Sequence, residues 1–460
     1  MVASATGAMN PSASADVSLR LAQWTHRASD RLVRAQAVLC YGRVEQVSAM
    51  LVVARLPRCA VGDLCELIPR DRAAPPVLAE VIGFEMNRAW LAPLGPTDGI
   101  GSNALARTLG VPHSVRVGPH LLGERLDGFG RPTRQGAVAS DTGFTSVRVL
   151  AAAPCATTRP LIDRRIATGV RAVDALLTLA RGQRIGLFAG PGGGKTTLLG
   201  ALARGIDADA IVLALVGERG RELNEFVARE LGPVLAQRTV VVCATSDASP
   251  MERARAAFTA TAIAEGLCNG GKHVLLLVDS LTRFARAQRE IGLASNEPPG
   301  RLGYPPSVYA ALPRLIERAG NRADGAITAV YTVLTESDHA DPIADEARSL
   351  LDAHIVLSRK LAERAHFPAI DVTASLSRLM PVVADDSHRR DADRARSLLA
   401  RHEELEWLVS LGEYAPGQDA GADEAMARHA PLSALLRQDL RSPEPWENTL
   451  EQLHAAVHGE

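Results

Sequence analysis

The run Ala189-Gly190-Pro191-Gly192-Gly193-Gly194-Lys195-Thr196 constrains this chain more than any other feature. An apolar, strand-like stretch precedes it and a helical stretch beginning Thr197-Leu198-Leu199-Gly200 follows. A glycine loop between strand and helix turns backbone N–H groups inward around an anion, and the helix N-terminus adds partial positive charge. The first position is Ala where the pattern G-x-x-x-x-G-K-[ST] has Gly, but its strand-loop-helix context is intact. Lys195 is then expected to reach the β- and γ-phosphates of a nucleotide and the Thr196 hydroxyl to coordinate Mg²⁺. Gly190, Pro191, Gly192, Gly193, Gly194, Lys195, Thr196 and Thr197 form the expected nucleotide cradle. Composition supports this reading, because Lys195, Lys272 and Lys360 are the only lysines among 51 basic residues. A compact ammonium suits a narrow anion cradle better than a planar guanidinium.

A loop of this kind belongs to a mostly parallel sheet. Past Val115 the chain alternates apolar strands with helical stretches, the strand candidates being Arg184–Ala189, 210–216, 239–244, 273–278, 327–334 and Ala353–Leu357. That alternation predicts an α/β, doubly covered sheet. The run 274–279 delivers Asp279 at a strand's C-terminal end, where α/β ligands bind, and makes it a candidate Mg²⁺ partner. Gly217-Glu218-Arg219-Gly220-Arg221-Glu222 follows another strand end. A carboxylate there can position an attacking water while the adjacent guanidinium meets the γ-phosphate; composition alone favours a solvated helix start with alternating charge.

The rest of the chain divides into distinct patterns. Residues 1–18 are rich in Ala and Ser, and 19–38 read as a short amphipathic helix, a dock for a partner or a tail packed on its own chain. Short β-type runs at 37–41, 49–54, 64–68, 77–84 and 89–94 predict a small barrel or sandwich. Beyond Val383 the strands stop, and 391–460 reads as helices broken at 412–421 and at Pro443 and Pro445. The expected units are therefore 1–35 (tail and helix), 36–112 (N-terminal β-barrel), 113–385 (catalytic α/β domain) and 386–460 (helical domain).

Lys+Arg 51 against Asp+Glu 52 leaves a charge of -1, and aromatics are 4%. Neither a basic field nor stacking platforms for bases are available, so no nucleic-acid partner is expected. The six cysteines include no C-x-x-C pair and are expected to be buried free thiols of a reducing compartment. Residues 1–16 lack a basic, then apolar, secretory signal, and no stretch approaches about 18 apolar residues, so a cytoplasmic location is expected.

Longer motifs carry a resemblance. Asp127-Gly128-Phe129-Gly130-Arg131-Pro132, Thr168-Gly169-Val170-Arg171-Ala172-Val173-Asp174, the 217–222 run, 279–293 (DSLTRFARAQREIGL), Gly303-Tyr304-Pro305-Pro306-Ser307-Val308, Asp341-Pro342-Ile343-Ala344-Asp345, 354–361 (HIVLSRKL), Phe367-Pro368-Ala369-Ile370-Asp371 and Ser375-Leu376-Ser377-Arg378 occur in that order. Together they resemble the type III protein-export ATPases, relatives of the catalytic subunit of rotary ATP synthases. The resemblance implies a RecA-like ATP- and Mg²⁺-dependent domain with a six-stranded N-terminal barrel and a C-terminal helical domain. It also implies a homohexameric ring with nucleotide at the subunit interfaces. Glu218 is then the catalytic carboxylate, Arg219 a γ-phosphate contact, Arg378 an arginine finger supplied by the neighbouring subunit, and Phe367 a packing surface for adenine. Implied partners are a stator protein at the N-terminal region, a central stalk, an export gate and chaperone–effector complexes, at the cytoplasmic face of the inner membrane.

Three departures stand out. Gly193 occupies a place where relatives often carry Val, which should loosen the loop. Glu336-Ser337-Asp338-His339 replaces the more usual E/T-G-D-D. No acidic lever like that of ATP synthases is evident near Asp391 to Glu413, which argues against a synthase subunit. Thr197 to Gly200, and Gly62-Asp63-Leu64-Cys65-Glu66-Leu67, resemble the injectisome branch more than its flagellar alternative. An RNA-dependent translocase should show base-stacking aromatics on a basic surface, whereas 36–110 offers mainly Tyr41, Phe84 and Trp90. A non-catalytic ring subunit would lack Glu218.

Overall fold

The computed structural model of the 460-residue chain describes residues 40–48, 50–71, 74–133, 143–335 and 341–459, with helical positions at 21, 24, 25 and 29. The expected docking helix at 19–38 lies almost wholly outside the described residues, as does the whole of 336–339.

Six strands, β1 (Tyr41–Val47), β2 (Val52–Arg55), β3 (Asp63–Ile68), β4 (Val77–Glu85), β5 (Arg88–Pro93) and β6 (Leu105–Pro112), close into a barrel in the order β1-β2-β5-β4-β3-β6. Val44, Val52, Ala54, Cys65, Leu67, Ala79, Val81 and Leu91 fill its interior. The first strand begins where the apolar run at 37–41 ends. It continues through polar residues, with Gly42 and Val44 buried and Tyr41 and Arg43 exposed. In β6 likewise Ala106 and Thr108 are buried while Leu105 is exposed. Alternation, not apolar run length, marks these half-buried strands.

Beyond the barrel, β7 (Ser114–Val117) pairs with β9 (Thr145–Arg148), and β8 (Arg125–Asp127) joins the edge of the main sheet. A short ribbon, β10 (Arg165–Ile166) with β11 (Leu179–Ala180), precedes β12 (Arg184–Ala189). The main sheet adds β13 (Ala210–Glu218), β14 (Thr239–Thr245), β15 (His273–Asp279), β16 (Gly320–Arg322), β17 (Gly325–Leu334), β18 (Ala353–Leu357) and β19 (Ile370–Ser377). Their order is β19-β18-β12-β17-β15-β13-β14-β8, with β16 against β17. All these pairings are parallel except those made by β16 and β19. Every residue of β13 and β15 is buried, as two-sided cover requires. Val212, Ala214, Val216, Val274, Leu276 and Val278 pack on one face. Ile211, Leu213, Leu215, Leu275 and Leu277 pack on the other.

Three helices, Asp386–Ser410, Ala420–Leu436 and Trp446–His458, form the C-terminal unit. Asp385 and Asp419 cap the first two, each accepting from the backbone of the first turn. The unit is strapped to the sheet domain by polar contacts. His388 Nε2 donates to the Ala175 carbonyl (2.7 Å), and Arg396 donates to the carbonyls of Leu176 and Val372 (both 2.7 Å). Gln438 accepts from Arg171 N and donates to Gly169 O, both at 2.8 Å.

All six cysteines are free; Cys65 and Cys268 are buried, Cys155 is exposed, and Cys40, Cys59 and Cys243 are half-buried. Exposed Cys155 departs from the expectation because it lies in an irregular segment, outside the strands and helices that bury their side chains. No helix among the described residues is long and apolar enough to cross a membrane.

Barrel and sheet domain meet through a buried ion pair, Arg255 on the helix Pro250–Cys268 with Glu80 on β4, at 2.7 Å. Arg255→Met should destabilise the chain by about 3–5 kcal/mol, because it leaves the Glu80 carboxyl buried without its cation. Glu80→Leu combined with Arg255→Met should recover most of that loss in denaturant unfolding.

Next to it, buried His113 donates from Nε2 to the Phe129 carbonyl at 3.0 Å. Burial first, then the guanidinium of Arg255, pushes its imidazole down to about 4. A histidine held neutral by the fold contributes stability above its unfolded pKa of about 6.5 that is lost as pH falls toward 4. The loss across that range amounts to about 3 kcal/mol. Any advantage in melting temperature of the native chain over a His113→Gln variant should therefore shrink between pH 7 and pH 4.

Candidate functional site

β12 ends at Ala189 in the middle of the sheet, and the glycine loop follows. Gly192 (φ 76°) and Gly194 (φ 84°) adopt left-handed conformations that a side chain would strain. Gly194 caps the helix Lys195–Gly205 without any side-chain hydrogen bond, and the first turn carries no acidic residue. The backbone N–H groups of that turn thus face an anion-accepting space. Gly193 has ordinary φ; a Cβ there would sit 3.6 Å from the Leu357 Cβ. Its absence removes a packing contact that a valine would make with β18.

Parallel pairing brings the chemistry together. β13 and β15 are neighbours, with Leu215 opposite Asp279, so Glu218 and Asp279 both emerge at C-terminal strand ends. Lys195 Nζ lies 2.6 Å from Asp279 Oδ1 and 3.4 Å from Glu218 Oε1. Thr332, on β17, donates to the same Asp279 oxygen at 2.6 Å. Both carboxylates are nearly shut off from solvent, at 4% and 5% exposure for Asp279 and Glu218.

Arg283, in the first turn of the helix Leu281–Ala294, lies 2.8 Å from Glu218 Oε2 and also donates to the Gly217 carbonyl. Burial, then a hydrogen bond with Glu222 and the charge of Asp279, pushes the Glu218 carboxyl up to about 7. The same bond to Glu218 holds Glu222 below the usual carboxylate range. Glu218 is thus poised to take or release a proton near neutrality.

Sequence reasoning gave Arg283 no role, although its position four residues beyond Asp279, one helical turn into the helix after β15, was a usable signal. Arg219, by contrast, turns outward: its side chain is 76% exposed, and its Nε is 3.9 Å from Glu222 Oε1. Within a single chain it is not brought to the loop. Thr196 and Thr197 are exposed at the mouth of the cradle.

Phe367 is half exposed, and its carbonyl accepts from Gln438 N at 2.9 Å. Two residues on, the Ala369 carbonyl accepts from Ser358 N at 2.8 Å, next to the Leu357 that lies beside Gly193. The Phe367 segment therefore borders the loop. Arg378 does not. It follows Ser377, which pairs with Ala353, itself opposite Ile185 near the start of β12. The loop lies beyond the other end of β12, about 13 Å away along the strand. Arg378 is exposed, and its guanidinium donates to the Arg348 carbonyl at 3.4 Å.

A nucleotide cradle at the C-terminal edge of a parallel sheet, beside buried carboxylates from two other strands, defines a P-loop nucleotide hydrolase. Residues 169–377 match the model of the ATP synthase alpha/beta family, nucleotide-binding domain, and residues 384–455 match that of the T3SS EscN ATPase C-terminal domain. The chain is 53% identical over 435 residues to a type 3 secretion system ATPase of Pseudomonas syringae pv. syringae, covering 94% of this chain and 96% of that one. It is 40% identical to the flagellum-specific ATP synthase of Bacillus subtilis, over 91% of this chain and 96% of that one. The assembled ATPase EscN of enteropathogenic E. coli superposes with a TM-score of 0.85 at 44% identity, covering 90% of this chain and all of that chain. The chain belongs to the type III secretion system ATPase family.

Glu218→Gln keeps the shape of the site but removes the titrating carboxyl. It should lower ATP turnover by about 10²–10⁴-fold while retaining nucleotide, measured by phosphate release and by binding of a fluorescent ATP analogue. Full activity would mean that Glu222 performs the role.

Proposed function

We propose that this chain is the ATP hydrolase of an injectisome, working as a homohexameric ring that releases chaperones, unfolds effector proteins and energises their export. The observation carrying this reading is the Lys195 ammonium set between Glu218 and Asp279 at the mouth of the glycine loop. ATP phosphates lie along Gly190 to Thr197, with Lys195 on the β- and γ-phosphates and Phe367 beside the base. Glu218, held by Arg283, orients the attacking water and takes its proton. The hydroxyl of Thr196 and the carboxylate of Asp279 are the hard oxygen donors that Mg²⁺ prefers, and both border Lys195. Mg²⁺ held there would neutralise charge on the transferring phosphoryl group.

The distance of Arg378 from its own loop supports a role in trans, with nucleotide at subunit interfaces. Assembly is described for EscN, also in complex with its central stalk EscO; we extend both a ring and a stalk to this chain. A stator at the N-terminal region, an export gate and chaperone–effector complexes complete the proposed partners. Their setting is the cytoplasmic face of the inner membrane. The injectisome reading is favoured over the flagellar one by 53% against 40% identity to the relatives above.

Arg378→Ala should cut turnover by about 10³–10⁵-fold with nucleotide affinity nearly unchanged; lost binding instead would remove the trans assignment. In the native host, chromosomal Lys195→Ala should abolish effector secretion and leave swimming intact. Lost swimming with normal secretion would make the chain the flagellar exporter.

A further inference from the structure

Far from the nucleotide loop, the first and last helices of the C-terminal unit bring together Asp391, His454 and His458. His454 and His458 stand four residues apart on the helix Trp446–His458, so their rings share one face. Asp391 comes from the helix Asp386–Ser410. His454 Nδ1 is 2.9 Å from Asp391 Oδ2, and His458 Nε2 is 3.0 Å from Asp391 Oδ1. The two rings are 4.4 Å apart between centroids, and all three ligand atoms lie within 4.8 Å of one another.

We propose that this cluster is a divalent transition-metal site, with zinc as its natural class of occupant. Ligand atoms about 2.0–2.2 Å from one ion stand about 3 Å apart when they subtend angles near 90–109°. The two His–Asp separations already have that value. Two imidazoles at an i, i+4 spacing with one carboxylate make a borderline nitrogen-oxygen set, which selects zinc, nickel or cobalt over magnesium and calcium.

Access and rigidity both suit an ion. The histidine side chains are 55% and 46% exposed, whereas the Asp391 side chain is only 15% exposed. Three residues before Asp391, His388 anchors its helix to the Ala175 carbonyl. Arg428, the cation placed at this helix end, donates to the main-chain carbonyl of His458 rather than to the cluster. Three protein ligands leave open positions for water or for a side chain from another molecule. A bound ion would tie Trp446–His458 to Asp386–Ser410, closing the helical unit through a contact separate from nucleotide chemistry.

The test uses the full chain freed of any affinity tag and stripped with chelator. Isothermal titration with Zn²⁺ at pH 7.5 should give one site per chain, and the melting temperature should rise with zinc concentration. Addition of Co²⁺ should produce visible absorption of a nitrogen-oxygen site. His458→Gln and Asp391→Asn should each weaken zinc binding by at least about tenfold, since even loss of a group supporting a metal ligand costs about 10–100-fold. Both variants should retain the metal-free melting transition and ATP turnover. Cys155→Ser controls for the exposed thiol and should bind zinc as the native chain does. No saturable binding, or binding unchanged in both His458→Gln and Asp391→Asn, would overturn the proposal and leave two hydrogen bonds only. If either variant fails to fold, His454→Gln with the cobalt spectrum decides, an unaltered spectrum again overturning it.

Discussion

One ammonium between two buried carboxylates organises the catalytic half of this molecule. Lys195 opens a helix after β12, Asp279 ends β15 and Glu218 ends β13, with Thr332 of β17 steadying Asp279. Carboxylates this deeply buried are costly to keep ionised unless cations face them. Lys195 and Arg283 meet that requirement, while the raised Glu218 carboxyl shows that they meet it only in part. The residual cost is useful: a carboxyl titrating near 7 can exchange a proton with water, which a fully stabilised carboxylate could not do.

This arrangement depends on strand direction. Parallel strands place all their C-terminal ends along one edge, so groups separated by 84 residues, such as Lys195 and Asp279, meet within hydrogen-bond distance. The antiparallel β19 breaks that rule and thereby serves a different purpose. Running back toward the start of β18, it delivers Arg378 to the opposite edge of the sheet. A residue at that edge is out of reach of its own loop, as the proposed role in trans requires. The C-terminal helices, fastened through His388, Arg396 and Gln438, fix the end of β19 and the Phe367 segment against the same body.

Much of this was legible in the residues. The glycine loop, the apolar strands and the carboxylate ending β15 could be read because buried parallel strands are continuous apolar runs and phosphate loops require glycine and lysine. The barrel was harder to read. Its strands are half exposed, so β1 runs through Arg43 and Glu45 and β6 through Arg107 and Thr108, with no long continuous apolar run to mark either. Exposure of Cys155 was equally hidden, since an irregular segment carries no periodicity from which burial can be inferred.

The sequence by itself determined the class of fold and the glycine loop, because each is tied to a local strand-loop-helix pattern; Asp279 was marked by its strand end, and Glu218 only by the longer motifs around it. Only the tertiary structure decided which guanidinium serves Glu218: adjacent Arg219 faces solvent and Arg283, 65 positions away along the chain, makes the contact. Only it could place Arg378 beyond reach of its own loop, or join Asp391 to His454 and His458 across two helices. These outcomes turn on side-chain direction and on which strand lies beside which. Neither is encoded in a residue's immediate neighbours; both follow from how the whole sheet and its covering helices pack.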